Sequence, residues 1–228
     1  MVLIRDFFVN NFALLNSKVI HASFRIKSRK SKFNRIYKSG GFGGENAPLS
    51  GIGSTIDNTS IIRNLLPNLI IKYDAKSIID APCGDFNWMK EVDLGNIHYI
   101  GVDIVDDVIN NNLYKHSENN RSFIVCDIVK EILPAASIIL SRDCFIHLSN
   151  SDIIKTISNF KSSGSRYLLT NTYVDLTMNN DMVTGRGFRP INLGLHPFNY
   201  PEPLFIQEED QNDEGRSLAL WILDDLPG

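Results

Sequence analysis

The chain has 228 residues, 43% of them hydrophobic and 21% charged, which is the texture of one globular α/β domain with room for an appendage and excludes a disordered, collagen-like or coiled-coil chain. Its three cysteines, Cys83, Cys126 and Cys144, form no C-x-x-C pair, so no disulfide framework or zinc spacing is legible and a reduced, cytoplasmic setting is expected. The formal net charge of −3 divides unevenly. Residues 1–38 carry nine Lys/Arg against one acid, Asp6, a net of +8, while the other 190 residues carry 14 bases against 25 acids, a net of −11.

In chain order, Ile4, Phe7, Phe8, Phe12, Leu15 and Val19 recur mostly at three- and four-residue steps, which predicts an amphipathic helix. Arg5, Asp6, Asn10, Asn11, Asn16 and Lys18 interrupt it, against both a membrane span and a signal peptide. Its apolar stripe is expected to pack on its own domain or on a second copy in a homodimer. The basic stretch Arg25–Lys38 suits peripheral contact with the inner face of a membrane, or with nucleic acid, and is expected to lie outside any active site. Glycine-rich passages at Gly40–Gly44 and Ser50–Thr55 lead to a helix expected over Asn58–Tyr73, with Ser54, Thr55 or Asp57 as its cap. Pro67 inside that stretch predicts a kink or break.

From Lys76 short apolar runs alternate with helical stretches. Strands are expected at Ser77–Asp80, Tyr99–Asp103, Ser122–Cys126, Ser137–Ser141 and Arg166–Asn171, and helices at Phe86–Val92, Val105–Tyr114 and Asn150–Lys161. Such alternation implies β-α-β crossovers and a mainly parallel sheet with helices on both faces. Leu204–Glu208 and Ser217–Leu223 flank an acidic turn, Glu209–Gly215, and read as a terminal hairpin.

In an open α/β sheet, ligands lie outside the carboxyl ends of the strands, which makes the first strand-to-helix turn, Asp80-Ala81-Pro82-Cys83-Gly84-Asp85-Phe86, the predicted site. Gly84 suits a backbone that a ligand approaches closely. Asp103 ends the next strand 19 residues beyond Gly84, about the spacing at which an acid accepts hydrogen bonds from a ribose. Asp127 ends the third strand, where it would address the amino edge of an adenine flanked by Ile104 and Ile128. Pro82 lacks an N–H, and Asp85 adds negative charge beside the turn, which disfavours a pyrophosphate and suits a cationic ligand.

These residues resemble the first motif and the ribose and adenine positions of class I S-adenosylmethionine-dependent methyltransferases, over about Ser54 to Leu223. Pro82 and Phe86 stand where two of the motif's three glycines are usual. The resemblance implies a Rossmann-like α/β sheet, mostly parallel with a terminal antiparallel strand, and S-adenosylmethionine as cofactor. It implies that the segment after the fourth strand, Ser141–Ser149, passes beside the transferred methyl, so Arg142 joins the cofactor-binding set. The passage Ser50–Arg63, with Ser54 and Thr55, is expected to offer backbone N–H groups to the methionine carboxylate. G-S-T-x-x-N-T-x-x-I-R and the later G-x-x-R-P-x-N-L further resemble a bacterial subgroup linked to surface-glycan or small-metabolite modification.

Asp143 and His147 stand four apart and would share one face of a helical turn, making either a candidate base for a hydroxyl proton; the alternative is that His147 is a structural imidazole and Ser149 caps the next helix. The fifth strand brings Asn171 and Tyr173 to the same sheet edge. A long connection, 174–203, reads as an ordered lid whose Arg189 and Asn192 bind polar substrate groups, or whose Arg189 pairs with an acid of the body. No dedicated metal cluster is legible; Asp143 with carboxylates of the connection is the residual magnesium candidate. The expected organisation is a basic arm and glycine-rich loop, 1–45, followed by the methyltransferase domain, 46–228. The expected activity is O-methylation of a small-molecule or carbohydrate acceptor. The alternatives are an RNA- or protein-modifying methyltransferase docking through the arm, and a non-catalytic adenosyl-binding or assembly module.

Overall fold

The computed structural model describes residues 28–43, 47–210 and 215–227; the helix expected around Ile4–Val19 lies outside them. The helices are α1 (Arg29–Lys38), α2 (Ser60–Lys72), α3 (Asp106–His116) and α4 (Asn150–Ser162). The strands are β1 (Ser77–Asp80), β2 (His98–Asp103), β3 (Arg121–Val125), β4 (Ile138–Ser141), β5 (Tyr167–Tyr173), β6 (Phe205–Asp210) and β7 (Arg216–Ile222). They form one sheet in the order β3-β2-β1-β4-β5-β7-β6. The first five are parallel, and β7 slots antiparallel between β5 and β6.

The central strands β1 and β4 are short and largely apolar because both their faces are covered. Alternate residues divide between two cores. Ile79, Val102, Ile139 and Leu168 face α4, while Ile78, Tyr99, Ile138 and Leu169 face α2 and α3. The strand order reverses between β1 and β4, so the crevice at their carboxyl ends is where a ligand is favoured.

Four local expectations are corrected. Helix α2 runs unbroken through Pro67: its buried face, Ile62, Leu66, Leu69 and Ile70, clamps it to the core, and Asn68 donates to the Asn64 carbonyl. Its cap is Thr59, preceded by two short 3-10 turns, with Thr55 Oγ1 accepting the Asn58 N–H. The stretch Phe86–Val92 holds only a 3-10 turn, Met89–Glu91. Phe86 takes a positive φ of 58° to bury its ring against Tyr99 and Phe123, and that backbone ends any helix there. Glu209, expected in a turn, belongs to β6.

The connection 174–203 packs back onto the sheet. Ile191, Leu193, Phe198 and Tyr200 enter the α4-side core, and the Trp221 indole N–H donates to the Pro201 carbonyl. No helix among the described residues is long and apolar enough to cross a membrane.

Candidate active site

A cleft lies along the carboxyl ends of β1 to β4. Its walls include Asp80, Pro82, Cys83, Gly84, Asp103, Ile104, Asp127, Ile128, Arg142, Asp143 and His147, drawn from four strand tips. Asp103 is buried; its Oδ2 accepts the Gly84 N–H at 3.3 Å and its Oδ1 the Val105 N–H at 2.9 Å. Burial pushes its carboxyl up to about 6 against those stabilising N–H bonds. Asp80 Oδ2 accepts the Tyr99 hydroxyl at 2.8 Å, and burial pushes its carboxyl up to about 7. Asp127 receives the Val129 N–H and the guanidinium of Arg29.

The turn after β1 is built from neighbours far away in sequence. Asn112 of α3 donates to the Gly84 carbonyl at 2.7 Å. Ser50 Oγ donates to Asp85 Oδ1 at 2.9 Å and accepts the Asp85 N–H at 2.8 Å. A Cβ on Gly84 would stand 2.0 Å from Ser50 Oγ, so the missing side chain admits Ser50, not a ligand, at that spot. Asp85 is thereby tied to Ser50 and does not line the cleft, and Phe86 lies in the core behind it. Ser54 lines the cleft and Thr55 does not. The Ser54 and Thr55 N–H groups bond to the Gly51 and Ile52 carbonyls, so they are not offered to a carboxylate as the sequence suggested.

The segment after β4 departs from the expected helical turn, because Asp143 has a φ of 53° and the following Phe145–His147 is a 3-10 turn. Asp143 belongs to a closed ring of four charges. Arg142 meets Asp143 at 3.0 Å, Asp143 meets Arg216 at 2.8 Å, Arg216 meets Glu209 at 3.3 Å, and Glu209 meets Arg142 at 2.9 Å. Two guanidinium groups hold the Asp143 carboxylate, so the ring corrects its reading as a base and makes it a tie between β4 and the terminal hairpin. Arg142 also donates to the Gly53 and Asn58 carbonyls, which fixes the Ser50–Thr59 passage to the sheet.

His147 differs. Its Nδ1 lies 2.7 Å from the Gly187 carbonyl oxygen, which can only accept, so Nδ1 carries the proton and Nε2 is the basic atom. Phe42 stacks on the ring at a centroid distance of 4.5 Å. Burial lowers the imidazole below 6.5, with the Gly187 bond opposing, so it is neutral at pH 7. Ser149 caps α4 by accepting the Asp152 N–H.

The four residues expected to hold substrate are not brought to the cleft. Asn171 is buried, accepting the Asp143 N–H and donating to Glu209. Tyr173 is buried at the end of β5 beside Phe188. Arg189 is buried among the Asn180 and Phe145 carbonyls and Asn150 Oδ1, near Asp181, and Asn192 braces the connection's own backbone. Ser50, at the head of the passage expected to face the ligand, lines the cleft, and Arg29, Phe33, Tyr37, Phe42 and Trp88 line it without having been singled out. The basic arm, in its described part, therefore covers the site and does not lie outside it. All three cysteines line the cleft as free thiols; burial pushes Cys126 and Cys144 up to about 12 and Cys83 well above 9, leaving them protonated and inert. Among the described residues no cluster of His, Cys, Asp or Glu is placed to hold a metal ion.

No family model matches the sequence, and no curated protein is similar to it at a significant level. Solved structures do match. Magnesium protoporphyrin IX methyltransferase from Synechocystis PCC 6803 with bound SAH aligns at a TM-score of 0.55 and 11% identity, over 90% of this chain and 99% of that one. The methyltransferase domain of bacterial CtHen1 aligns at 0.51 and 12%, over 73% and 97%. Human N-acetylserotonin methyltransferase in complex with SAM aligns at 0.52 and 12%, over 71% of this chain; the chain spans 51% of that protein's length. The fold is that of class I S-adenosylmethionine-dependent methyltransferases.

Proposed function

We propose that the protein transfers a methyl group from S-adenosylmethionine to a hydroxyl of a small-molecule or carbohydrate acceptor. The observation that carries this is Asp103, a buried strand-tip carboxylate beside Gly84 on this fold. Two backbone N–H groups occupy part of its acceptor capacity, and its remaining lone pairs suit a pair of ribose hydroxyls. The residues fit the cofactor: Ile104 and Ile128 offer apolar contact for a purine, Asp127 an acceptor for its amino edge, and Asp80 a carboxylate toward a cationic end. When bound, the cofactor supplies a methyl activated by a positively charged sulfur.

His147 Nε2 accepts the acceptor's hydroxyl proton, with Gly187 fixing the tautomer and Phe42 holding the ring. Docking through the described part of the basic arm is weakened as an alternative. Arg29, Lys30 and Lys32 turn to Asp127, Asp106 and the Thr184 carbonyl, leaving Arg35 and Lys38 on the outer face of α1. The homodimer packing expected of the Ile4–Val19 stripe concerns residues outside those described, as does the part of the expected membrane contact carried by Arg25 and Lys27.

Calorimetry with S-adenosylhomocysteine, paired with methyl-labelled S-adenosylmethionine offered to fractionated metabolites and glycans, tests this reading. Asp103→Asn is expected to weaken binding at least about tenfold, roughly 1.4 kcal/mol. Unchanged affinity overturns the ribose assignment, and binding without label transfer to any fraction favours a non-catalytic adenosyl-binding module.

A further inference from the structure

Helix α1 runs along the cleft. Arg29 sits at the Asp127 end, Phe33 lines the middle, and Tyr37, eight residues and about 12 Å further along, places its hydroxyl 3.4 Å from Ser50 Oγ beside the Gly84 turn. Arg29 Nε donates to both Asp127 oxygens at 3.1 and 3.2 Å, and Nη2 donates to Oδ2 at 3.1 Å. Val129 N–H donates to Oδ1. These are three N–H hydrogens, the single one on Nε being shared by both oxygens, so they take about three of the roughly four acceptor positions of a carboxylate, and Arg29 holds two of the three, leaving Asp127 little capacity for the amino edge of a nucleobase. The same guanidinium reaches a second acid: Nη1 donates to Asp152 Oδ1 at 3.2 Å. Lys30 on Asp106 and Lys32 on the Thr184 carbonyl tie the helix down on either side.

We propose that Arg29 is a two-position latch on the adenosyl cleft: shared between Asp127 and Asp152 it closes the purine end, and carried by Asp152 alone it releases Asp127 to the ligand while α1 stays in place. This regulation rests on the adenosyl reading of the cleft. The planar guanidinium fork makes the exchange feasible, since it forms paired bonds to one carboxylate at a time or bridges two. The rate of ligand entry is then set by breaking the Arg29–Asp127 contact. Net charge of the ligand contributes little, because S-adenosylhomocysteine is a net-neutral zwitterion.

The test is the association rate of S-adenosylhomocysteine with the full chain, read by stopped flow through the fluorescence of Trp88, which lines the cleft. Arg29→Gln is expected to speed association about tenfold, and raising the ionic strength to speed the wild type but not the variant. Arg29→Lys keeps the charge but cannot bridge both acids, so an intermediate rate with wild-type salt dependence is expected. Circular dichroism and thermal melting establish that both variants are folded. An Arg29→Gln rate at or below wild type, with the same salt response, overturns the latch and makes Arg29 part of the binding wall. If wild type binds, Asp103→Asn binds more weakly and Arg29→Gln changes nothing, the latch alone fails; if neither wild type nor Arg29→Gln binds, the adenosyl reading fails and the latch with it.

Discussion

The connection 174–203 and the segment 28–43 exchange the roles their sequences suggest. The long connection, rich in aromatics and prolines, reads as a lid, yet it inserts Ile191, Leu193, Phe198 and Tyr200 into the core and offers the site one backbone carbonyl, that of Gly187. The short basic segment reads as a docking arm, yet it lays Arg29, Phe33, Tyr37 and Phe42 along the cleft. The difference follows from what each must bury. Four large apolar side chains are stabilised most by joining the core, at roughly 1.5–3 kcal/mol each. The basic helix has none of its residues fully buried and is held by the carboxylates of Asp127, Asp152 and Asp106. Loop length measures room to move; the distribution of apolar area and charge decides whether the room is used.

His147 stands at the seam, with Phe42 from one region on its face and Gly187 from the other on its Nδ1. His147→Ala is expected to have the largest effect, lowering turnover about 10²–10⁴-fold with S-adenosylhomocysteine affinity unchanged; equal turnover removes it as the base. Arg189→Leu probes the buttress. It strands the Asn180 and Phe145 carbonyls and is expected to destabilise the fold by about 2–4 kcal/mol in denaturant melts, leaving ligand association as in wild type; slowed association would give the connection a share in covering the site. Phe42→Leu probes the cover. Opening the imidazole to water returns it toward 6.5 from below, so the acid limb of the turnover profile moves to higher pH, with a loss smaller than that of His147→Ala.

The pH dependence of stability is assigned to the cleft and not to the buttress. Asp80 rises from an unfolded value of about 3.9 to about 7 in the fold. The folded state therefore binds more protons between those values, and stability falls as pH climbs from about 4 to about 7. Asp80→Asn should flatten that slope in thermal melts, with Asp103, raised to about 6, sustaining a residue of it. Arg189→Leu should keep the wild-type slope.

The sheet was legible because its strands are short apolar runs, the first three of which lead to an acid; Ser77–Asp80 matches the observed β1 and the others fall within a few residues. The cofactor-side acids Asp80, Asp103 and Asp127 converge on one cleft for the same reason: parallel strands put their carboxyl ends on one edge. What could not be read depends on pairings between distant segments. Asp143 looked like a partner of His147 by spacing, but its positive φ turns it toward Arg216, 73 residues on. Ser50 and Asp85, 35 apart, and Asn112 and Gly84, 28 apart, carry no local signature of their contact. The nine bases of the arm were visible as a sum, whereas the identity of the acid each one meets is a property of the folded surface.

The latch also sets an order of events during synthesis. Arg29 emerges 98 residues before Asp127 and 123 before Asp152, so the first described helix to be translated has nowhere to dock until most of the sheet has followed it. Contacts of such separation form late because the intervening chain must be ordered first. The growing polypeptide thus carries its own closure as an unattached segment, and the finished cleft is sealed by a part of the chain made before the sheet it covers.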